Sequence, residues 1–214
     1  AAFVVFAAIG TVLLWPSLAG GQVLSASHAW TDSGPFPAPM RLRVPIEGRL
    51  QADEGLQFAP WLHFAATAWA RDGEFPLWKA TANCGAPLLG NGQSALLYPP
   101  HLLAIALGLP QWAFAGLALV KLVGGMLCAW LLGRHLGMSW LAAALCGVVF
   151  GLGGYQAVWV MHPHTNVSFL FPLLVLLADK AASQGGARVV AGLGLVAGMQ
   201  HLGGHPETAF HCQL

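Results

Sequence analysis

The sequence predicts an all-α, polytopic membrane protein whose first loop is long, extracytoplasmic and partly built of interfacial helices. Three observations predict it. Hydrophobic residues make up 57% of the chain and charged residues only 8%, against roughly 25% charged in an ordinary soluble domain. The apolar residues come in repeated runs of about 17 to 23, the length that crosses a hydrocarbon core. Six of the eight acidic residues, Asp32, Glu47, Asp53, Glu54, Asp72 and Glu74, fall between the first such run and the second. A formal net charge of +1 offers no basic field for nucleic acid, which binds through phosphate neutralisation. The cysteines Cys84, Cys128, Cys146 and Cys212 contain no CxxC pair and give no disulfide framework.

Ala2 to Leu18 reads as the first span, ended by Pro16 and the Gly20-Gly21 pair. The chain opens on apolar residues without Met and stops in mid-pattern at HCQL, which reads as a piece of a longer protein. Residues 21–50 follow, where Pro35, Pro37, Pro39 and Pro45 rule out long regular structure. From Phe58 the positions Phe58, Trp61, Leu62, Ala65 and Trp69 recur at helical spacing, with His63, Thr67 and Arg71 on another face. That predicts an interfacial helix over 56–72, stopped by Gly73. Phe75-Pro76-Leu77-Trp78 reads as an extended, aromatic-anchored turn. Leu96 to Leu109 is apolar but short, bounded by Pro99-Pro100 and Pro110, and reads as re-entrant or interfacial. Trp112–Leu132 is the second span and Trp140–Val160 the third, with Gly151, Gly153 and Gly154 permitting close packing or a break. Val167–Ala178 with its flanks is the fourth, and Val189 to about Gly203 the fifth.

Three regions result: 1–20, a first transmembrane helix; 21–110, the loop; and 111–214, spans two to five. Arg134 lies between spans two and three, and Lys180 and Arg188 between four and five. Short loops that carry the basic residues face the cytoplasm. Parity then puts the 21–110 loop, the His162-Pro163-His164 turn and the GGHPETAFH segment together on the outer face of the cell membrane.

Asp53-Glu54 stands where that loop meets a helix. Asp53 is a preferred N-cap and Glu54 suits the helix dipole. Equally, a carboxylate at headgroup depth can take the proton of an incoming hydroxyl or hold a divalent cation, Mg or Mn. Asn91-Gly92 has the chemistry of a plain turn. His162 and His164 flank a proline in a short loop. His201 and His205 are four residues apart, with Glu207 and His211 nearby, a spacing open to metal ligation although no HExxH order is present. Glu207 near the membrane edge is the more informative residue, since an acid at that depth usually faces a cavity.

The motif series is specific. It comprises Asp53, Gln57, Phe58, Pro60 and Trp61; Gly73 to Trp78; Gly85 to Pro100; His162 to His164; and Gly203 to Phe210. It resembles the YfhO-type bacterial membrane proteins, which are similar to the C-type (GT-C) integral-membrane glycosyltransferases. The resemblance covers nearly the whole chain. It implies a GT-C-like fold, an acidic residue near the start of the first outer loop (here Asp53, beside Glu54), a polyprenyl-phosphate sugar donor, and an envelope polymer or lipid acceptor. Where the family has Asn after the Trp of its PLW motif, this chain has Lys79. Lys79, Arg71 and the outer histidines His162, His164 and His205 then suit the donor phosphate, and Asn91, Gln93 and Tyr98 the sugar hydroxyls. Gln57, Trp78 and Glu207 complete the expected substrate-binding set. Two other readings stay open on the same residues: a transporter or flippase for a lipid-linked or polar solute, and a non-catalytic envelope assembly protein. A transporter should carry repeated, interrupted helices around a midplane site, and no convincing repeat is present.

Overall fold

The computed structural model describes residues 1–22, 24, 25, 52–82, 84–109 and 112–214. The proline-rich stretch around Pro35 to Pro45 lies outside them. The described chain is mostly helical. Two helices are long and apolar enough to cross a membrane by length and composition, Ala113–His135 and Pro163–Ser183. The first of these, at 23 residues, is about 35 Å long at 1.5 Å per residue, enough for a core of about 30 Å.

Helix α1 is Ala2–Leu18, with Pro16 inside its last turn rather than ending it. The 54–58 segment follows as one wide, π-type turn and runs directly into α2, Ala59–Asp72. The cause of the wide turn is Pro60. It has no N–H to give the Leu56 carbonyl, and its ring would strike that carbonyl in a regular α-helix. Opening the turn relieves both, and the Ala59 N–H reaches five residues back to the Glu54 carbonyl. Helix α2 buries Ala59, Leu62, Ala65 and Ala66 against Leu88, Leu96, Ile105, Phe114 and Leu117. His63, Thr67 and Arg71 stay exposed. Gly73 ends the helix in the left-handed conformation, φ 66°, which glycine adopts at no steric cost.

The helical chain carries one short β pair. Trp78–Lys79 (β1) pairs antiparallel with Ala86–Pro87 (β2), in the register Trp78↔Pro87 and Lys79↔Ala86. The flanking Pro76 and Pro87 favour extended backbone there, and the left-handed Cys84 and Gly85 turn the chain back. Helix α3 is Pro99–Ala106. It begins later than the apolar run because prolines fit the first helical turn, where no N–H is needed.

Helix α4, Ala113–His135, is the centre of the body, packed by α1 and by α5, Trp140–Gly151. Between α4 and α5 the backbones nearly touch. A Cβ on Gly147 would lie 2.5 Å from the Met126 carbonyl oxygen, and one on Gly151 would overlap Met126 itself. Gly147 and Gly151 form a GxxxG pair, the spacing that lets two helices approach closely.

The expected third span, Trp140–Val160, is corrected by the structure. Helix α5 has 12 residues, about 18 Å, too short to cross alone. Gly153 caps a separate short helix, α6, Gly154–Val158, because three glycines in four positions weaken helix at Gly151 to Gly154. Next come α7, Pro163–Ser168, and α8, Phe171–Ser183, which follow each other closely enough to make up the candidate span Pro163–Ser183 together, then α9, Ala187–Leu202, and α10, Pro206–Gln213. Helix α8 packs on both α4 and α9. At one end of the body His135 Nε2 lies 2.7 Å from Asp179 Oδ2, joining α4 to α8. The starts of α4 and α7 meet at the opposite end, where Phe114 and Leu117 line a cavity with Pro163 and Asn166.

Candidate functional site

That second end gathers most of the polar motifs. Gly204, at φ +88°, seats the 203–205 turn against the 91–95 turn: a Cβ there would lie 2.8 Å from Ala95 Cβ and 3.2 Å from the Gln93 carbonyl oxygen. The Asn166 amide donates to the Gly203 carbonyl at 2.9 Å, tying α7 to the same turn. Phe58 packs edge-on to His162 with ring centroids 5.4 Å apart, which brings the wide turn into the group. Segments from residues 53 to 207 therefore share one patch.

Within it, His164 and His205 lie almost face to face, centroids 3.8 Å apart and planes tilted by 30°. His162 is 6.0 Å from His164 and rests edge-on against Trp159 at 4.9 Å. Both nitrogens of His162 are buried without a protein partner. Burial pushes its imidazole down to about 4, the neighbouring His164 adds in the same direction, and the charge of Asp53 opposes them. The charges of Asp53 and Glu207 also reach His164. His205 is lowered too, by burial first, with Glu207 acting against it. His205 Nδ1 accepts from the Thr208 backbone N–H at 3.1 Å and so caps α10. A neutral ring in that position carries its proton on Nε2, outside the cap.

The two neighbouring carboxylates part company. Asp53 is exposed and accepts from the Gln57 side chain at 3.0 Å. It already has helical dihedrals and makes no side-chain capping bond, so the expectation of Asp53 as an N-cap is corrected: the helix begins before it. Glu54 points inward, 1% exposed, and accepts from Ser25 Oγ at 3.0 Å. Successive helical residues point about 100° apart, which separates the pair.

The remaining expected residues scatter. Trp78 is 56% exposed on β1, and Lys79 Nζ sits 5.7 Å over the Phe64 ring on α2. Asn91 accepts from the Gln93 backbone N–H at 3.3 Å and caps a short 3₁₀ turn, which is the turn chemistry of its sequence. Gln93 is exposed at the rim of the cavity behind the patch. Tyr98 is 1% exposed with its hydroxyl enclosed; it stacks edge-on to His101, burial raises its phenol, and a sugar cannot reach it in this conformation. His201 and His205 do not share a helix face, because α9 stops at Leu202 and the Gly203-Gly204 turn intervenes. Among the described residues no three His, Cys, Asp or Glu side chains are gathered as they would be around a metal ion.

Three residues of this end were missed by the sequence reading: Lys121, His101 and Asn166 line the cavity with Glu54. For Lys121 the signal existed, an ionisable residue inside a predicted span. A helical, strongly apolar chain with two candidate membrane helices and a polar patch at one end is the class these features define. No family model, no curated protein and no solved structure matches the chain.

Proposed function

We propose that the chain belongs to a GT-C-like membrane glycosyltransferase that moves a sugar from a polyprenyl-phosphate donor to an envelope polymer or lipid on the outer face of the cell membrane. In this reading the chain is multi-pass, and the patch with the 21–110 loop faces outward. The observation that carries it is the contact of the His162, His164 and His205 rings at the end of the body that also holds the start of the wide turn, packed on His162 through Phe58, segments that the resembling motifs supply from distant parts of the chain.

The chemistry follows from the side chains. Asp53, solvent-facing and steadied by Gln57, takes the proton of the acceptor hydroxyl. The acceptor oxygen then bonds the anomeric carbon of the sugar, and polyprenyl phosphate departs with the electrons of the broken C–O bond. His205, with its Nε2 proton free of the cap, and His164 stacked on it donate hydrogen bonds to the leaving phosphate. Asp53 also has the chemistry to hold a divalent cation.

The test is in vitro transfer by the membrane-embedded protein with a panel of polyprenyl-phosphate sugars, comparing parent and Asp53→Asn. Because Asp53 caps nothing and Asn can still accept from Gln57, the variant should fold as the parent does. Loss of the base should cost ~10²–10⁴-fold in rate. Transfer by Asp53→Asn at the parental rate refutes the assignment, and no transfer with any donor refutes the function.

A further inference from the structure

We propose that Thr208 is a positioning residue of the patch: its hydroxyl and its backbone N–H together hold His205 in one ring orientation and one tautomer, with the ring proton on Nε2. This rests on the transfer proposed above, in which that nitrogen donates to the leaving phosphate, and it names the group that keeps the donor in place. His205 Nδ1 is the common point. The Thr208 N–H donates to it at 3.1 Å, and Thr208 Oγ1 lies 2.7 Å from it. A backbone N–H can only donate, so Nδ1 must offer its lone pair and cannot carry a proton while the contact stands. A hydroxyl can donate or accept, and beside a nitrogen without a proton it donates. The shorter of the two contacts therefore comes from the side chain.

The helix does not need that hydroxyl. The orphan donor at the start of α10 is the Thr208 N–H, and the ring already satisfies it. In a capping box the side chain three residues on reaches back to the backbone N–H of the cap residue; here it reaches the ring instead. What the hydroxyl holds is the imidazole. Turning the ring over would set a C–H against both donors, and moving the proton to Nδ1 would set it against the backbone N–H, so each alternative loses hydrogen bonds. The surrounding contacts fix only the place of the ring. Gly204 seats the turn on Ala95, Asn166 ties Gly203 to α7, and His164 lies over the ring at 3.8 Å. None of these three tells one ring nitrogen from the other, and Thr208 does.

The experiment is nitrogen-15 NMR of the full chain in membranes, with labelled histidine, at about pH 8 where an ordinary imidazole is neutral. The His205 signals are identified by their loss in His205→Asn. The parent should show a single tautomer, Nδ1 bare and Nε2 protonated. Thr208→Val keeps the backbone N–H and removes the hydroxyl, so its His205 should give mixed signals, and Thr208→Ser should restore the parental pair. A protonated Nδ1 in the parent, or a Thr208→Val spectrum like the parental one, overturns the proposal. If Thr208→Val does not accumulate, Thr208→Ala is read in its place. Transfer supplies a second readout. Thr208→Val should lower kcat roughly 10–100-fold with little change in KM, the size of loss met when a histidine's orienting partner is removed, and Thr208→Ser should keep the parental rate. A residue that only stabilised α10 would move the thermal midpoint and leave kcat in place, so a parental kcat in Thr208→Val overturns the positioning role. Absence of transfer with every donor refutes the function instead, and the spectra still decide the tautomer.

Discussion

Gly147→Ala is the sharpest test of the packing that positions the patch. The added Cβ would sit 2.5 Å from the Met126 carbonyl oxygen and 3.1 Å from Phe6 Cζ. The phenyl ring can swing aside, but the carbonyl belongs to the α4 backbone and cannot. Helix α5 must therefore back away from α4, at an overpacking cost of roughly 1–3 kcal/mol. Alanine recovers roughly 0.5–1 kcal/mol by its better helix propensity, so the net loss is about 1–2 kcal/mol. At roughly 2–4 °C per kcal/mol for a chain of this size, the midpoint should fall by about 5 °C. Gly194→Ala on α9 is the control, since nothing lies within 4 Å of its added Cβ. It should keep only the propensity gain and leave the midpoint level or slightly raised. Thermal unfolding of the two purified variants beside the parent decides the matter. If Gly147→Ala is as stable as Gly194→Ala, the helices are not in backbone contact and the account of α5 is wrong.

Three further outcomes are expected. His162 is held near 4 in the folded chain, while an unfolded imidazole takes its proton near 6.5. The unfolded state thus binds more protons between those values, and stability should fall as pH drops from about 6.5 toward 4. His162→Leu should flatten that part of a midpoint-against-pH series, and an unchanged slope would argue against burial of the ring. His205→Ala removes the α10 cap and should cost about 1 kcal/mol, most of it restored by His205→Asn; equal midpoints for the two variants would show that the cap contributes nothing. For topology, single cysteines at Gln93 and Arg134 are placed in a background with the four native cysteines changed to serine. An impermeant thiol reagent on intact cells should label position 93 and spare 134, and labelling of both from one side refutes the orientation.

The parts legible in the sequence were those governed by one dominant local effect. The apolar run Trp112–Leu132 gave α4 to within three residues at its end, a glycine after the last periodic residue gave the end of α2, and an Asn-Gly dipeptide gave the 91–95 turn. The histidine turn, the GGH turn and the wide turn do lie at one end of the body, but the count of spans that led to that expectation included a third span that the chain breaks at Gly151 to Gly154. Other features depended on distant partners. The glycines at 151 to 154 permit either close packing or a break, and the proximity of Met126 shows that Gly151 serves packing while Gly153 begins a new helix. Lys121 vanished in a hydropathy average dominated by its apolar neighbours. Tyr98 looked like a donor for sugar because sequence does not show that its hydroxyl is enclosed. That Asp53 faces outward and Glu54 inward was not legible, because adjacency in the chain says nothing of which way a helix has turned by the time it reaches them.

The wide turn at 54–58 sets that phase, and it changes how length variation in this stretch should be read. A π turn is an α-helix carrying one extra residue, so residues upstream stay in step with the lattice of α2 only because the extra residue is absorbed. A chain one residue shorter between Gly55 and Gln57 would keep Asp53 outward and Glu54 inward on an ordinary helix. A chain of the same length that lost Pro60 and relaxed to regular pitch would rotate both carboxylates by about 100°, turning Glu54 away from the cavity it lines with Lys121. In this segment a gap in an alignment is the conservative change, and a gapless substitution at Pro60 is the disruptive one.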